Sequence, residues 1–111
     1  MARINYLELP VSATATAKSF YSNAFGWSFT DFGPTYAATL TGDSDIGFQA
    51  DPAQKTAALL PVVQVDDLEG AQRAIESAGG TVTLPIFDFP GGRRFHFRDP
   101  DGHELAVMQP S

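Results

Sequence analysis

What most constrains this chain is that the same order of elements occurs twice. Ile4 to Leu9 alternates as a short strand, with Ile4, Tyr6 and Glu8 on one side, and it stops at Pro10, which has no N–H for a ladder. From about Thr14 to Phe25 the apolar spacing turns helical, through Ala17, Phe20, Tyr21, Ala24 and Phe25, and Gly26 follows as a C-terminal stop. Trp27–Phe32, Thr35–Leu40 and Ile46–Ala50 then read as strands, separated by turns at Gly33-Pro34 and Thr41-Gly42-Asp43. After a polar connector, Asp51 to Thr56, the order begins again with a strand at Leu59–Val65. Asp66 and Glu69 have capping-box spacing, Leu68, Ala71, Ile75 and Ala78 form a helical stripe, and Gly79-Gly80 ends it. Three more strands follow, Thr81–Leu84, Arg93–Arg98 and His103–Met108, the last two joined by a tight turn at Asp99-Pro100-Asp101-Gly102. A shift of 54 positions lays Tyr6 on Leu60, Val11 on Val65, Ala24 on Ala78 and Gly26 on Gly80. The repeat predicts an α+β chain of two βαβββ modules, about residues 3–51 and 58–109, in one domain spanning 1–111. The expected architecture is a curved mixed sheet with helices outside and a concave cup.

Composition narrows the function classes. Seven Lys+Arg against thirteen Asp+Glu leave a net charge of −6, which gives no electrostatic footprint for nucleic acid or an anionic membrane surface. The absence of Cys removes disulfides, thiolate metal sites and cysteine nucleophiles together. No apolar run approaches the roughly 20 residues a membrane helix needs, and Met1 leads straight into a strand pattern, so a cytoplasmic protein is expected. The nine Phe supply a core. Phe20, Tyr21 and Phe25 are expected in it from the first helix, and Phe95 and Phe97 from the strand Arg93–Arg98. Pro85 to Gly92 reads as a rim loop whose Phe87 and Phe89 await cover by a ligand or a partner chain.

Several short motifs carry a family resemblance. They are Leu7-Glu8-Leu9-Pro10-Val11, Phe20-Tyr21, Phe25-Gly26-Trp27, Val65-Asp66-Asp67, Ala78-Gly79-Gly80 and Phe97-Arg98-Asp99-Pro100-Asp101-Gly102-His103. In order and spacing the chain resembles the vicinal oxygen chelate superfamily, which includes glyoxalase I, bleomycin- and fosfomycin-resistance proteins and extradiol dioxygenases. The resemblance implies a divalent metal held by four side chains, one from each of four strands. Carried over, those positions fall on Tyr6, Gln49, Leu60 and Ala106. Leu60 and Ala106 have no donor atom, and Tyr6 is a poor ligand for zinc, nickel or manganese at neutral pH. No cofactor is therefore expected, and a divalent metal is disfavoured.

Other polar side chains then become the candidates. Arg94, His96 and Arg98 share one face of their strand, and three of the chain's seven basic residues lie at Arg93, Arg94 and Arg98. Arg94 is the candidate for an anionic ligand group, because a guanidinium pairs bidentately with carboxylate or phosphate. Arg98 and His103 are expected to belong to the acidic turn. In the fosfomycin-resistance branch the position of His96 contacts substrate, as does a hydroxyl at the position of Glu8. Glu8 and His96 are thus the catalytic candidates, as a carboxylate and imidazole able to exchange protons. Tyr6, Gln49, Arg94, Glu104 and Met108 are the ligand-binding candidates. The leading expectation is a protein that binds a small, partly apolar, anionic organic molecule without the usual metal. The alternatives are a lyase- or isomerase-type enzyme using Glu8 and His96, or an atypical metal, and a non-catalytic interaction subunit. The resemblance also implies a homodimer.

Overall fold

Both helices stop at the glycines expected to stop them. In the computed structural model, which describes residues 2–111, the order is β1 (Arg3–Pro10), α1 (Thr14–Phe25), β2 (Thr30–Asp31), β3 (Tyr36–Ala38) and β4 (Asp45–Gln49). It continues with β5 (Leu60–Gln64), α2 (Leu68–Ser77), β6 (Thr81–Phe89), β7 (Gly92–Arg98) and β8 (Glu104–Pro110). The chain divides into a first unit, Tyr6–Leu60, and a second, Pro61–Ser111 together with the chain up to Asn5. Among the described residues no helix is long and apolar enough to cross a membrane.

In the first unit the strand order is β2-β3-β4-β1, with β1 parallel to β4 and the other pairs antiparallel. Glu8 lies opposite Gly47, and Tyr36 opposite Gln49. Because side chains alternate, Tyr6, Glu8, Tyr36, Gly47 and Gln49 share one face. Phe48 belongs to the other, where Tyr21 of α1 stacks on it at 5.4 Å between ring centroids. Gly26 adopts φ 73°, open to glycine at no steric cost, and donates its N–H to Ser22 O at 2.8 Å.

Two expectations about this unit fail. Phe20 and Phe25 are not core residues; they are 63% and 61% exposed. Five residues apart, they sit about 140° apart around the helix, so they flank Tyr21 at the edges of the stripe while Tyr21 faces the sheet. The expected strand Trp27–Phe32 shrinks to Thr30–Asp31. The Trp27 carbonyl accepts from the Ser22 hydroxyl at 2.9 Å, and its ring stacks on Phe25 at 4.9 Å, which ties this segment to the helix end rather than to a ladder.

The second unit repeats the path as β5-β8-β7-β6, with β5 parallel to β8. Val65, Leu68, Phe95 and Val107 form its buried core, with Val63, Ala71, Ile75, Val82, Ile86 and Phe97 packed around them. The expected places of Phe95 and Phe97 hold. Asp67, not Asp66, caps α2, accepting from Gly70 N–H at 3.0 Å. Glu69 turns away from the cap to a forked ion pair with Arg93, at 2.7 and 3.1 Å, which lowers its carboxyl to about 2.

Pro85 to Gly92 is not a loop. β6 runs on to Phe89, and only Pro90-Gly91 turn the hairpin into β7. The ladder shifts register between Leu84 and Phe87, so Pro85 falls where the pairing is interrupted and its missing N–H costs no regular ladder bond.

Candidate functional site

On the polar face of the first unit, three side chains form a chain of hydrogen bonds. Tyr36 Oη donates to Glu8 Oε1 at 2.8 Å, and the Tyr6 and Tyr36 hydroxyls lie 2.6 Å apart. Since Tyr36 spends its one proton on Glu8, Tyr6 is the donor to Tyr36. Glu8 is only 2% exposed. Burial, and then the negative charge of Glu8, hold the Tyr36 phenol far above its ordinary range, so it stays a donor at every physiological pH. Gly47 lies directly under both hydroxyls; a Cβ there would overlap Tyr6 Oη and Tyr36 Oη. Gln49 Oε1 accepts from the Asp51 N–H at 3.0 Å and is 6% exposed.

In the second unit the face opposite the core carries the other candidates. Arg94 lies opposite Phe87 on β6 and Met108 on β8, and His96 lies opposite Leu84 and Ala106. The Arg94 guanidinium carbon stands 5.3 Å from the Phe87 ring centroid and 5.6 Å from that of Phe89. Phe87 and Phe89 are therefore half-buried beneath a cation, not free rim residues. His96 is 3% exposed, its Nδ1 lies 2.9 Å from Glu104 Oε2, and its ring centroid is 6.2 Å from that of Phe87. Its Nε2 is buried with no hydrogen-bond partner among the described residues. A carboxylate accepts only, so Nδ1 carries a proton, and in the neutral ring Nε2 presents a lone pair.

The structure thus gathers Arg94, His96, Glu104 and Met108 on one sheet face, while Tyr6, Glu8 and Gln49 belong to the first unit. Arg93 turns to the helix side and pairs with Glu69. Arg98 braces the turn as expected, but through the Gly102 carbonyl at 2.8 Å rather than through an aspartate. His103 belongs to that turn too: its N–H and Nδ1 both meet Asp99, at 2.9 and 3.1 Å. Those hydrogen bonds, with the neighbouring backbone donors, keep the Asp99 carboxyl below its usual range. Tyr36 is the residue whose role sequence reading missed. The Thr41-Gly42-Asp43 turn between its strand and Asp45–Gln49 held the signal, since a hairpin register there sets Tyr36 opposite Gln49.

Taken one by one, the four positions onto which the resemblance carries the family metal ligands do not fit that role. Leu60 and Ala106 are fully buried hydrocarbon, the Tyr6 hydroxyl is engaged with Tyr36, and the Gln49 oxygen is taken by backbone. Among the described residues, the group of three or more potential ligand side chains lying close together is Asp99, Asp101 and His103 in the β7–β8 turn, on the outside of the molecule.

Comparison with known proteins places these observations. The family model for the glyoxalase/bleomycin resistance protein/dioxygenase superfamily matches residues 3–107. Two curated mycobacterial relatives, from Mycobacterium bovis and Mycobacterium tuberculosis and both described as "Putative glyoxylase CFP32", are 28% identical over 116 residues. The match takes in 95% of this chain but 44% of each relative, so the chain spans less than half their length. Among solved structures, hypothetical protein BH1468 of Bacillus halodurans superposes with a TM-score of 0.82 at 10% identity, over 99% of this chain and 95% of that one. A superfamily member from Vibrio splendidus superposes at 0.68 with 17% identity over 100% of both chains. At such identities the structural likeness concerns the fold alone.

Proposed function

The chain belongs to the glyoxalase/bleomycin resistance protein/dioxygenase superfamily, and from that premise we propose that it binds a small, partly apolar, anionic organic molecule without the four-donor metal site. One observation carries this reading: the Arg94 guanidinium lies over the rings of Phe87 and Phe89, on the same sheet face as the part-buried His96–Glu104 pair. A guanidinium carries its N–H donors in its own plane, the geometry that suits a carboxylate met edge-on. The two Phe rings and Met108 supply apolar surface next to that charge. A few polar groups set in apolar walls are the usual make-up of a small-molecule site.

The reading is tested by calorimetric titration of benzoate and phenylacetate into chelator-treated protein. Replacing Arg94 by Leu is expected to weaken binding about 10- to 100-fold, the worth of a charge-assisted hydrogen bond. Arg94→Lys keeps the charge but loses the planar fork, and falls between the two. Equal affinity in all three proteins contradicts the proposal.

A second reading, proton transfer by Glu8, is favoured by one contact, the Tyr36 hydroxyl that positions Glu8 Oε1. It predicts that any turnover found for the protein is abolished by Glu8→Gln.

A further inference from the structure

Resting on the reading of Arg94 as the anion-binding group, we infer that the ligand also carries a hydrogen-bond donor, a hydroxyl or an N–H, which is received by His96 Nε2. Glu104 Oε2 lies 2.9 Å from His96 Nδ1, so the ring is held in one orientation with a proton on the Glu104 side. In the neutral ring the opposite nitrogen is left as a lone pair. It is almost entirely withdrawn from water, on a residue 3% exposed, and has no hydrogen-bond partner among the described residues. A buried acceptor without a donor is unfavourable, and native proteins rarely leave one unless something else supplies the donor.

The strand partners of His96 bear on what that something is. Phe87 and Leu84 face His96 from β6 and Ala106 from β8, and none of their side chains has a proton to give. Arg94 stands two residues along the same strand, on the same face. Two strand residues span about 7 Å, so a molecule meeting both side chains carries its anionic group and its donor several bonds apart. Hydroxylated aromatic acids with the hydroxyl meta or para to the carboxylate have that form. An ortho hydroxyl is spent on its own carboxylate.

The test compares 4-hydroxybenzoate with 4-methoxybenzoate, which retains the oxygen but has no proton to donate, and uses salicylate as the control with an internally bonded hydroxyl. In the parent protein the hydroxy acid is expected to bind about tenfold more tightly than the methoxy acid, because a site built around an acceptor penalises a ligand lacking the donor. His96→Phe is expected to reduce that ratio to about one while both acids still bind through Arg94. His96→Gln, whose amide oxygen is again an acceptor, is expected to restore part of the ratio and guards against a misfolded Phe variant. Equal affinities for the two acids in the parent overturn the inference and leave the anion reading standing. A preference for terephthalate, which offers an acceptor in place of the donor, overturns it as well. Failure of every acid to bind removes the anion reading and the inference with it.

Discussion

Replacing Phe95 by alanine is expected to cost about 3–5 kcal/mol, the usual range for removing a buried aromatic ring. Phe95 is fully buried and packs with Val65, Leu68 and Val107 where α2 meets its sheet, and Phe97 lies 6.4 Å away between ring centroids. A domain of this size has roughly 5–15 kcal/mol in total, so the variant loses about a fifth or more of its stability. At about 4–8 °C per kcal/mol, its thermal midpoint should fall by at least about 12 °C. Phe20→Ala is the matched comparison. The same residue type is removed, but Phe20 is 63% exposed, and its loss is expected to change stability by no more than about 0.5 kcal/mol. Thermal melts of the two variants separate a core ring from a surface ring, and equal losses contradict the assignment.

The second large effect is expected at a residue with no side chain. In Gly47→Ala the new methyl overlaps the hydroxyls of Tyr6 and Tyr36, so both rings have to move. Overpacking of this kind costs about 1–3 kcal/mol. Moving Tyr36 also takes its hydrogen bond from Glu8 Oε1, and losing a hydrogen bond to a charged group on a residue 2% exposed adds about 1–3 kcal/mol. Urea unfolding of Gly47→Ala, Tyr36→Phe and the double variant measures the coupling. The double variant is expected to be less destabilised than the sum of the singles, because Tyr36→Phe removes one of the two hydroxyls the methyl meets. A neutral Gly47→Ala contradicts the close packing of the Tyr6–Tyr36–Glu8 chain.

The parts of the fold legible in the sequence were those governed by local chemistry. The helix Thr14–Phe25 ends where Gly26 permits a left-handed turn. The Asp99-Pro100-Asp101-Gly102 turn closes with Gly102 N–H on Asp99 O at 2.9 Å. Alternation within one strand placed Arg94 with His96 and Tyr6 with Glu8. What was not legible depended on partners distant in sequence. Pro85 reads as a strand breaker until its place at a register shift opposite β7 is known. Phe20 and Phe25 read as core because spacing reports a stripe but not how much of its width the sheet covers. The Tyr36–Glu8 bond joins residues 28 positions apart, and it forms because β4 lies between β1 and β3. His96 was legible as a candidate, but its orientation by Glu104 came only with the pairing of β7 and β8.

The central claim is that Arg94 and His96 bind an organic anion directly. The measurement that tests it most directly is a nuclear magnetic resonance titration of chelator-treated, nitrogen-labelled protein with 4-hydroxybenzoate, following the Arg94 Nε–H and the His96 ring nitrogens. The account predicts that both sets of resonances shift together and saturate, with the His96 Nε2 signal moving as a lone pair that has gained a hydrogen bond. Resonances that stay fixed without metal, and respond only after stoichiometric zinc or manganese is added, would contradict it.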